Sequence, residues 1–262
     1  MNATAGPLPP AEQKAVYVRD MFGRIAQRYD LMNRLMTFGR DRAWRRYTVA
    51  QLGLKAEDAH TRLVLDVATG TGDLAFETLD QHPEAHVVGL DFVPEMLDLA
   101  REKASARAEP DLGVRHPEET MRSTSGSLDL LAGDALQIPF PNATFDGIVT
   151  GFALRNVTDI PAAFAEMARV TKRGGRVACL EIAKPRTPFF NRLFAVYFYQ
   201  FVPLLGGWIT GQRSAYTYLP HSLSAFLNPD EIASVMSQTG WQDVRYKRLM
   251  LGTVAVHSGI RG

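Results

Sequence analysis

The run Leu63 to Asp73, LVLDVATGTGD, followed after 18 residues by Asp91 at the end of VVGLD, has the residue types of a pocket for a nucleoside bearing a free amino acid. Residues 63–67 read as a buried strand, Gly70 and Gly72 as a tight turn that lets backbone approach a ligand, and Asp73 as a helix start. A carboxylate at Asp91 can accept hydrogen bonds from both hydroxyls of a ribose, and its neighbour Phe92 belongs to the same expected pocket. Gly70 to Ala75 also satisfies the GxGxxA pattern of dinucleotide folds. Asp66 separates the two: a pyrophosphate at the helix N-terminus would meet carboxylates at Asp66 and Asp73, whereas an ammonium group favours one. S-adenosylmethionine is therefore the expected ligand. The alternative, a strand end at Asp66 and a helix cap at Asp73, leaves Asp66 and Asp91 without a role. Thr71 can offer backbone N–H and hydroxyl to the donor's carboxylate, or satisfy its own turn. Asp134 can accept from adenine's exocyclic amine while the Ala135 N–H meets a ring nitrogen; an ordinary turn aspartate explains it equally well.

These residues need a scaffold that brings strand ends together. Strand-like segments at 63–67, 86–90, 128–132, 145–150 and 175–182 alternate with helix-like segments at 73–80, 94–104, 159–171 and 229–238, and two strands near 242–248 and 251–258 close the chain. The pattern predicts an α/β, Rossmann-like fold of the class I S-adenosylmethionine-dependent methyltransferases: a doubly wound, mostly parallel sheet with an antiparallel terminal strand. A single domain over 1–262 is expected, with a tail at 1–13, a helical N-terminal cap at 14–52, a donor-binding core at 63–183, and a terminal helix and strands at 229–262. Within it, 105–127 reads as an exposed polar insertion and 184–228 as an apolar insertion rich in Phe, Tyr, Trp and Leu beside the substrate.

Composition narrows the partners. The 262 residues are 46% hydrophobic, enough for a substantial core, and Lys+Arg 29 against Asp+Glu 28 creates no global basic field for nucleic acid. No base-flipping motif of the NPPY type is present. Cys179 stands alone, which rules out an internal disulfide and suits a reducing compartment, and the six histidines lack metal-ligand spacing, so no metal is expected. The first dozen residues do not resemble a signal peptide, and the longest apolar run, Leu193 to Trp208, is too short and too interrupted to cross a bilayer. A cytoplasmic location is expected.

Beyond the donor run, the chain carries Tyr29-Asp30-Leu31-Met32-Asn33, Phe38-Gly39, Trp44-Arg45-Arg46, Ile138-Pro139-Phe140, Phe145-Asp146 and Leu154-Arg155-Asn156-Val157. It also carries Gly174-Gly175-Arg176, Leu180-Glu181 and Tyr216-Thr217-Tyr218-Leu219. With these, the sequence from about Val18 to Ile260 resembles the ubiquinone/menaquinone biosynthesis C-methyltransferase family. The resemblance implies methylation of a ring carbon of a polyprenylated quinol, demethylmenaquinol or a benzoquinol, with Thr71, Asp91, Asp134 and Ala135 at the donor. It departs from the family pattern at Asp41, Ala153, Thr217 and His221, where His, Gly, Arg and Glu are usual. A methyltransferase for another lipid or small phenol, or a donor-binding subunit without catalysis, are the competing readings.

A ring carbon becomes nucleophilic when the adjacent hydroxyl loses its proton, and for a phenol of pKa near ~10 that costs roughly 4 kcal/mol at pH 7. Arg155, just past the fourth strand, is expected to stabilise the oxyanion, with Asn156 and Tyr29 contacting a quinol oxygen and His221 as a candidate proton acceptor. Structural alternatives are an Arg155 pair with Asp159 or Glu181, a turn cap at Asn156, and a core position for Tyr29. Residues 190, 193, 194, 197, 198 and 201 form one apolar stripe that lines either an isoprenoid channel or a plain core. A bilayer-resident tail implies transient contact with the inner face of the membrane, where Arg186, Arg192 and Arg213 can meet anionic headgroups. A homodimer is the oligomer to test.

Overall fold

The computed structural model describes residues 10–54, 62–107, 126–224 and 226–262. Helix α1 (Ala11–Met36) begins at Ala11 and not at 14, because Pro10 sets an extended residue ahead of the first turn. The rest of the expected tail and most of the 105–127 insertion lie outside the described residues. Helix α2 (Asp41–Ala50) follows a turn in which Phe38 and Gly39 both take positive φ.

Then β1 (Leu63–Val67), α3 (Asp73–Gln81), β2 (His86–Asp91), α4 (Pro94–Ala106), β3 (Ser127–Ala132), β4 (Phe145–Gly151), α5 (Ile160–Val170) and β5 (Thr171–Ile182) alternate. Helix α6 (Pro188–Val196), a wide π-helical turn at Tyr197–Phe201, α7 (Val202–Thr210) and α8 (Arg213–Ser224) form the apolar insertion. Helix α9 (Pro229–Gln238), opened by a reciprocal cap between Asn228 and Glu231, leads to β6 (Trp241–Leu249) and β7 (Val254–Arg261).

The seven strands lie in the order β3-β2-β1-β4-β5-β7-β6, with β7 antiparallel to both neighbours. The order reverses between β1 and β4, so the crevice for a ligand opens at the carboxyl ends of those two strands. Two boundaries differ from the sequence reading. Strand β5 starts at Thr171 because a bulge at Gly174 and Gly175 carries extended chain past Asp146; a Cβ on Gly175 would meet the Asp146 carbonyl at 2.8 Å. Strand β7 starts at Val254 because Met250 and Leu251 are held left-handed in a turn despite their apolar character.

Period-two alternation along β1 sorts the two cores. Leu65 and Val67 face Phe164, Met167, Met236 and Trp241 on one side; Val64 faces Val49, Leu74 and Leu97 on the other. Trp241 is fully buried and its indole N–H reaches the Phe164 carbonyl at 3.2 Å. A third cluster joins Val18, Met21, Ile25 and Met32 of α1 to Val202, Tyr216 and Tyr218, so cap and apolar insertion close over the strand ends together.

Candidate active site

The glycine turn is shaped by hydrogen bonds from Asp91. Its Oδ2 accepts from the Gly70 N–H at 2.8 Å and its Oδ1 from the Val93 N–H at 2.9 Å, while burial raises its pKa against those bonds. Each oxygen keeps a second lone pair for a ribose hydroxyl. Gly70, Asp91, Phe92, Asp134 and Ala135 border one cleft, and Asp66, Gly70 and Thr71 border a smaller one beside it. Gly72 is the left-handed residue that begins α3, and a Cβ there would press on Phe76 at 2.8 Å. Gly133 leaves the cleft floor open, since its Cβ would strike Leu90 at 2.5 Å.

Asp66 is 1% exposed. Its Oδ2 accepts from the Thr69 hydroxyl and the Ala75 N–H, so it holds the start of α3, a role the structural alternative gives to Asp73, but Oδ1 is buried without a partner. Burial raises this carboxyl to about 7. An orphaned acceptor at the wall of the cleft fits the ammonium group of S-adenosylmethionine. One expectation needs correction, at Thr71. The Thr71 hydroxyl donates to Asp30 Oδ1 at 2.7 Å and accepts from Lys103 Nζ at 2.9 Å, so it faces the cap and leaves only its backbone for a donor. Asp134 Oδ1 accepts from the Leu136 N–H at 2.9 Å, a turn bond that leaves Oδ2 for adenine.

Across the crevice lies a cavity of about 400 Å³. Its walls are apolar: Met21 and Ile25 from α1, Trp44 from α2, and Phe190, Leu193, Phe194, Tyr197 and Phe198 from the aromatic stripe. Phe201, the sixth stripe residue, is half exposed and outside the lining, because the π turn rotates it away. The cavity's polar lining comes from Asn33, Thr37, the paired Asp41 and Arg45, and a group around Arg155. There Arg155 Nε, Asn156 Oδ1 and the Tyr218 hydroxyl are buried without hydrogen-bond partners. Tyr29 and Phe152 border this cavity and both donor clefts.

Arg155 is 8% exposed; its Nη1 donates to the Phe152 carbonyl at 2.5 Å and lies 3.8 Å from Glu181 Oε2. The Glu181 pairing expected as a structural alternative is thus real, and Arg155 lines the cavity as well. Burial raises Glu181 to about 7, outweighing the nearby guanidinium, so its charge only partly cancels that of Arg155 at neutral pH. Burial raises Tyr29 against the pull of Arg155, which keeps its O–H neutral and able to donate. Ala68 after β1 and Phe152 after β4 are both left-handed (φ 56° and 57°), a strain concentrated at the two strand ends that make the site.

His221 is a further correction. On α8 the residues that line the cavity are Ala215, Tyr216, Tyr218 and Leu219; His221 is not among them and packs edge-on against Tyr199 at 6.1 Å. Sequence reasoning missed Tyr218, Phe152 and Lys103. Tyr218 stood in a quoted motif but gave no local sign of which helix face would turn inward. Among the described residues, no group of three or more His, Cys, Asp or Glu is placed to hold a metal.

A parallel sheet reversing at a glycine turn, with a buried acid closing β2 and β7 inserted antiparallel, is the architecture of S-adenosylmethionine-dependent methyltransferases. The chain belongs to the ubiE/COQ5 methyltransferase family, whose sequence profile matches residues 11–261. It is similar to the demethylmenaquinone methyltransferases of Roseiflexus castenholzii (45% identity over 254 residues, 97% of both chains) and Deinococcus radiodurans (41%, 97% of this chain and 96% of that one). It is also similar to the ubiquinone/menaquinone biosynthesis C-methyltransferase UbiE of Geobacter sp. strain M21 (40% over 250 residues, 95% and 98%). Solved structures share the fold at low identity. The [4+2]-cyclase SpnF has a TM-score of 0.64 at 13% identity over 99% of both chains. The phosphoethanolamine N-methyltransferase 2 of Haemonchus contortus, with S-adenosyl-L-methionine, has 0.54 at 13% over 82% of this chain and 52% of that one. This protein is thus an S-adenosylmethionine-dependent C-methyltransferase of quinone biosynthesis.

Proposed function

We propose that the protein methylates a ring carbon of demethylmenaquinol, giving menaquinol, with the ring beside Arg155 in the 400 Å³ cavity and the prenyl tail along its apolar walls. One observation carries this reading: unpartnered polar atoms of Arg155, Asn156 and Tyr218 border a mostly apolar cavity, and Asn156 also borders the neighbouring cleft that holds Asp91 and Asp134. A hydroxylated ring with a long hydrocarbon tail matches both halves.

Bound S-adenosylmethionine supplies an electrophilic methyl group. Asp66 takes its ammonium, Asp91 its ribose, and Asp134 with Ala135 its adenine. Arg155 lowers the cost of ionising the quinol hydroxyl, and Asn156 and Tyr218 orient the two ring oxygens. Arginine stays protonated and His221 is off the cavity, so the proton passes to water or to a carboxylate, of which Asp41 lines the cavity and Glu181 lies beside Arg155. Tyr29 and Phe152 close the junction, and the apolar walls keep bulk water from the reacting carbon. The test is incubation of purified protein with S-adenosylmethionine and reduced demethylmenaquinone, with mass spectrometry of the product. A product methylated on oxygen, or no product under conditions where a small phenol is methylated, would sink the assignment.

The cavity rim supports delivery of that substrate from the inner face of the membrane. Phe38, Leu193 and Leu251 line the cavity yet are 74%, 58% and 66% exposed, and Phe38 and Leu251 sit at the tips of left-handed turns. The segments that carry them, 31–40, 182–229 and 244–262, contain no Asp or Glu. An apolar rim with basic flanks suits anionic lipid. Arg192 is exposed and available, whereas Arg186 is tied to Asp230 and Tyr246, and the Arg213 side chain lies outside the described residues. Replacing Phe38, Leu193 and Leu251 together by Ser should weaken co-flotation with anionic liposomes by more than about tenfold, since each large apolar side chain is worth roughly 1.5–3 kcal/mol when buried. Equal flotation of both proteins would remove the rim from the membrane contact. No described helix is long and apolar enough to cross a membrane.

A further inference from the structure

Lys103, on α4, belongs to neither cleft nor cavity, yet its ammonium is the hub of the contacts that hold the cap. It lies 2.6 Å from Asp30 Oδ2 on α1, 2.7 Å from Asp73 Oδ1 at the start of α3, and 2.9 Å from Thr71 Oγ1 in the glycine turn. Its three N–H donors are thereby matched to three acceptors on three elements. The Thr71 hydroxyl donates on to Asp30 Oδ1 at 2.7 Å, which closes a ring of contacts between the donor turn and the cap. Arg45 adds α2 to the same group, bridging Asp41 at 2.6 Å and Asp73 at 2.8 Å.

The position of this ring relates donor to acceptor. Asp30 adjoins Tyr29, and Tyr29 borders the acceptor cavity and both donor clefts. Thr71 lies between Gly70 and Gly72, two left-handed residues whose turn is held by Asp91 on one side and by Asp30 and Lys103 on the other. Thr71 borders the smaller cleft, and its hydroxyl reaches the cap. A helix transmits displacement along its axis, so whatever fixes Asp30 also fixes Tyr29.

We propose that Lys103 is a positioning residue that ties the glycine turn to the cap helix, so that donor occupancy sets the Tyr29 wall of the acceptor cavity and the donor binds ahead of the quinol. Departure of the spent donor then loosens the cap and releases the product. The acceptor half rests on the function proposed above; the donor half does not.

The experiment is hydrogen exchange of the full-length protein, followed by mass spectrometry, with and without saturating S-adenosylhomocysteine. In the native protein the ligand should slow exchange across residues 24–36 by about tenfold, a coupling of ordinary size between two sites. In Lys103→Met, saturated with the same ligand, the slowing should fall to within about twofold of none, with Lys103→Arg restoring part of it. Thr71→Val, which removes only the hydroxyl, should reproduce the loss and serves as the test if Lys103→Met does not fold. Full ligand-induced protection of α1 in either variant, or none in the native protein, would overturn the proposal; a purely structural Lys103 would lower the melting temperature and leave the ligand-induced change intact. Steady-state kinetics with a short-tailed demethylmenaquinol then separates the two halves. Lost coupling with a raised quinol KM supports both. Lost coupling with an unaltered KM leaves the clamp standing and overturns the cavity as the quinol site.

Discussion

Arg155→Ala should lower kcat by about 10²–10³ while leaving the affinity for S-adenosylhomocysteine nearly unchanged, which is the signature of losing a donor aimed at developing oxyanion charge. Arg155 lines the 400 Å³ cavity and neither of the two clefts beside the glycine turn. Its nearest acid, Glu181, already sits at about 7 and accepts from the Leu154 N–H at 2.7 Å, so it can take up a proton when the guanidinium is removed. That softens the roughly 3–5 kcal/mol that breaking a buried pair otherwise costs, and the variant should remain folded. Arg155→Lys keeps the charge and loses the fork of donors; its kcat should lie between the two. Single-turnover methylation and calorimetric titration of the same preparations decide it. A parallel fall in donor affinity would place Arg155 in the donor site and remove it from the chemistry.

The affinity for S-adenosylmethionine should fall about tenfold for each pH unit below about 7, because an ammonium needs Asp66 ionised and each proton displaced costs about 1.4 kcal/mol per unit. In the donor-free protein burial lifts Asp66 to about 7, with the Thr69 and Ala75 hydrogen bonds opposing and the charges of Asp91 and Asp73 assisting. Above about pH 8 the ligand's own α-amino group loses its proton, so the profile is a bell. The stability of the donor-free protein runs the other way. Asp66 and Glu181 both have folded pKa values raised from ordinary carboxylate values to about 7. Between roughly pH 4 and 7 the native state therefore holds protons that the unfolded chain has released, and stability drops as pH rises through that window. Melting temperature without ligand should thus decline over this range while the increment given by S-adenosylhomocysteine grows. Asp66→Asn should flatten the acid limb of the affinity profile; an affinity independent of pH from about 5 to 7 in the native protein would show that Asp66 does not meet the ammonium.

The parts of this protein legible in its sequence are those whose physics is local. A strand buried on both faces, a glycine pair at a turn, and an acid closing the next strand declare themselves by residue type and spacing, and β1, the turn and Asp91 lie where those signals put them. The positions of α3, α4 and α9 follow from their N-terminal residues. The motif Leu154-Arg155-Asn156 could be read as chemical from its place just past the fourth strand, at the carboxyl edge, although that place leaves a structural pairing for Arg155 open, and one is present with Glu181. Where extended chain tolerates a bulge, as before β5, or where apolar residues are forced into a left-handed turn, as at Met250 and Leu251, local preference is overridden by the register of neighbouring strands.

What only the tertiary structure decided is which side chains share a space. Tyr218 lines the cavity and His221 does not, although they are three residues apart on one helix, because the face that packs on α1 determines which stripe turns inward. The Thr71 hydroxyl reaches Asp30, 41 residues away, and Lys103, 32 residues away. Such contacts leave no periodic trace in the chain, since they arise from the packing of whole helices against the sheet. The amino-acid sequence by itself determined the fold, the glycine turn and the polar pair beyond β4; the assembled helices decided how the cap is fastened and which side chains line the cavity.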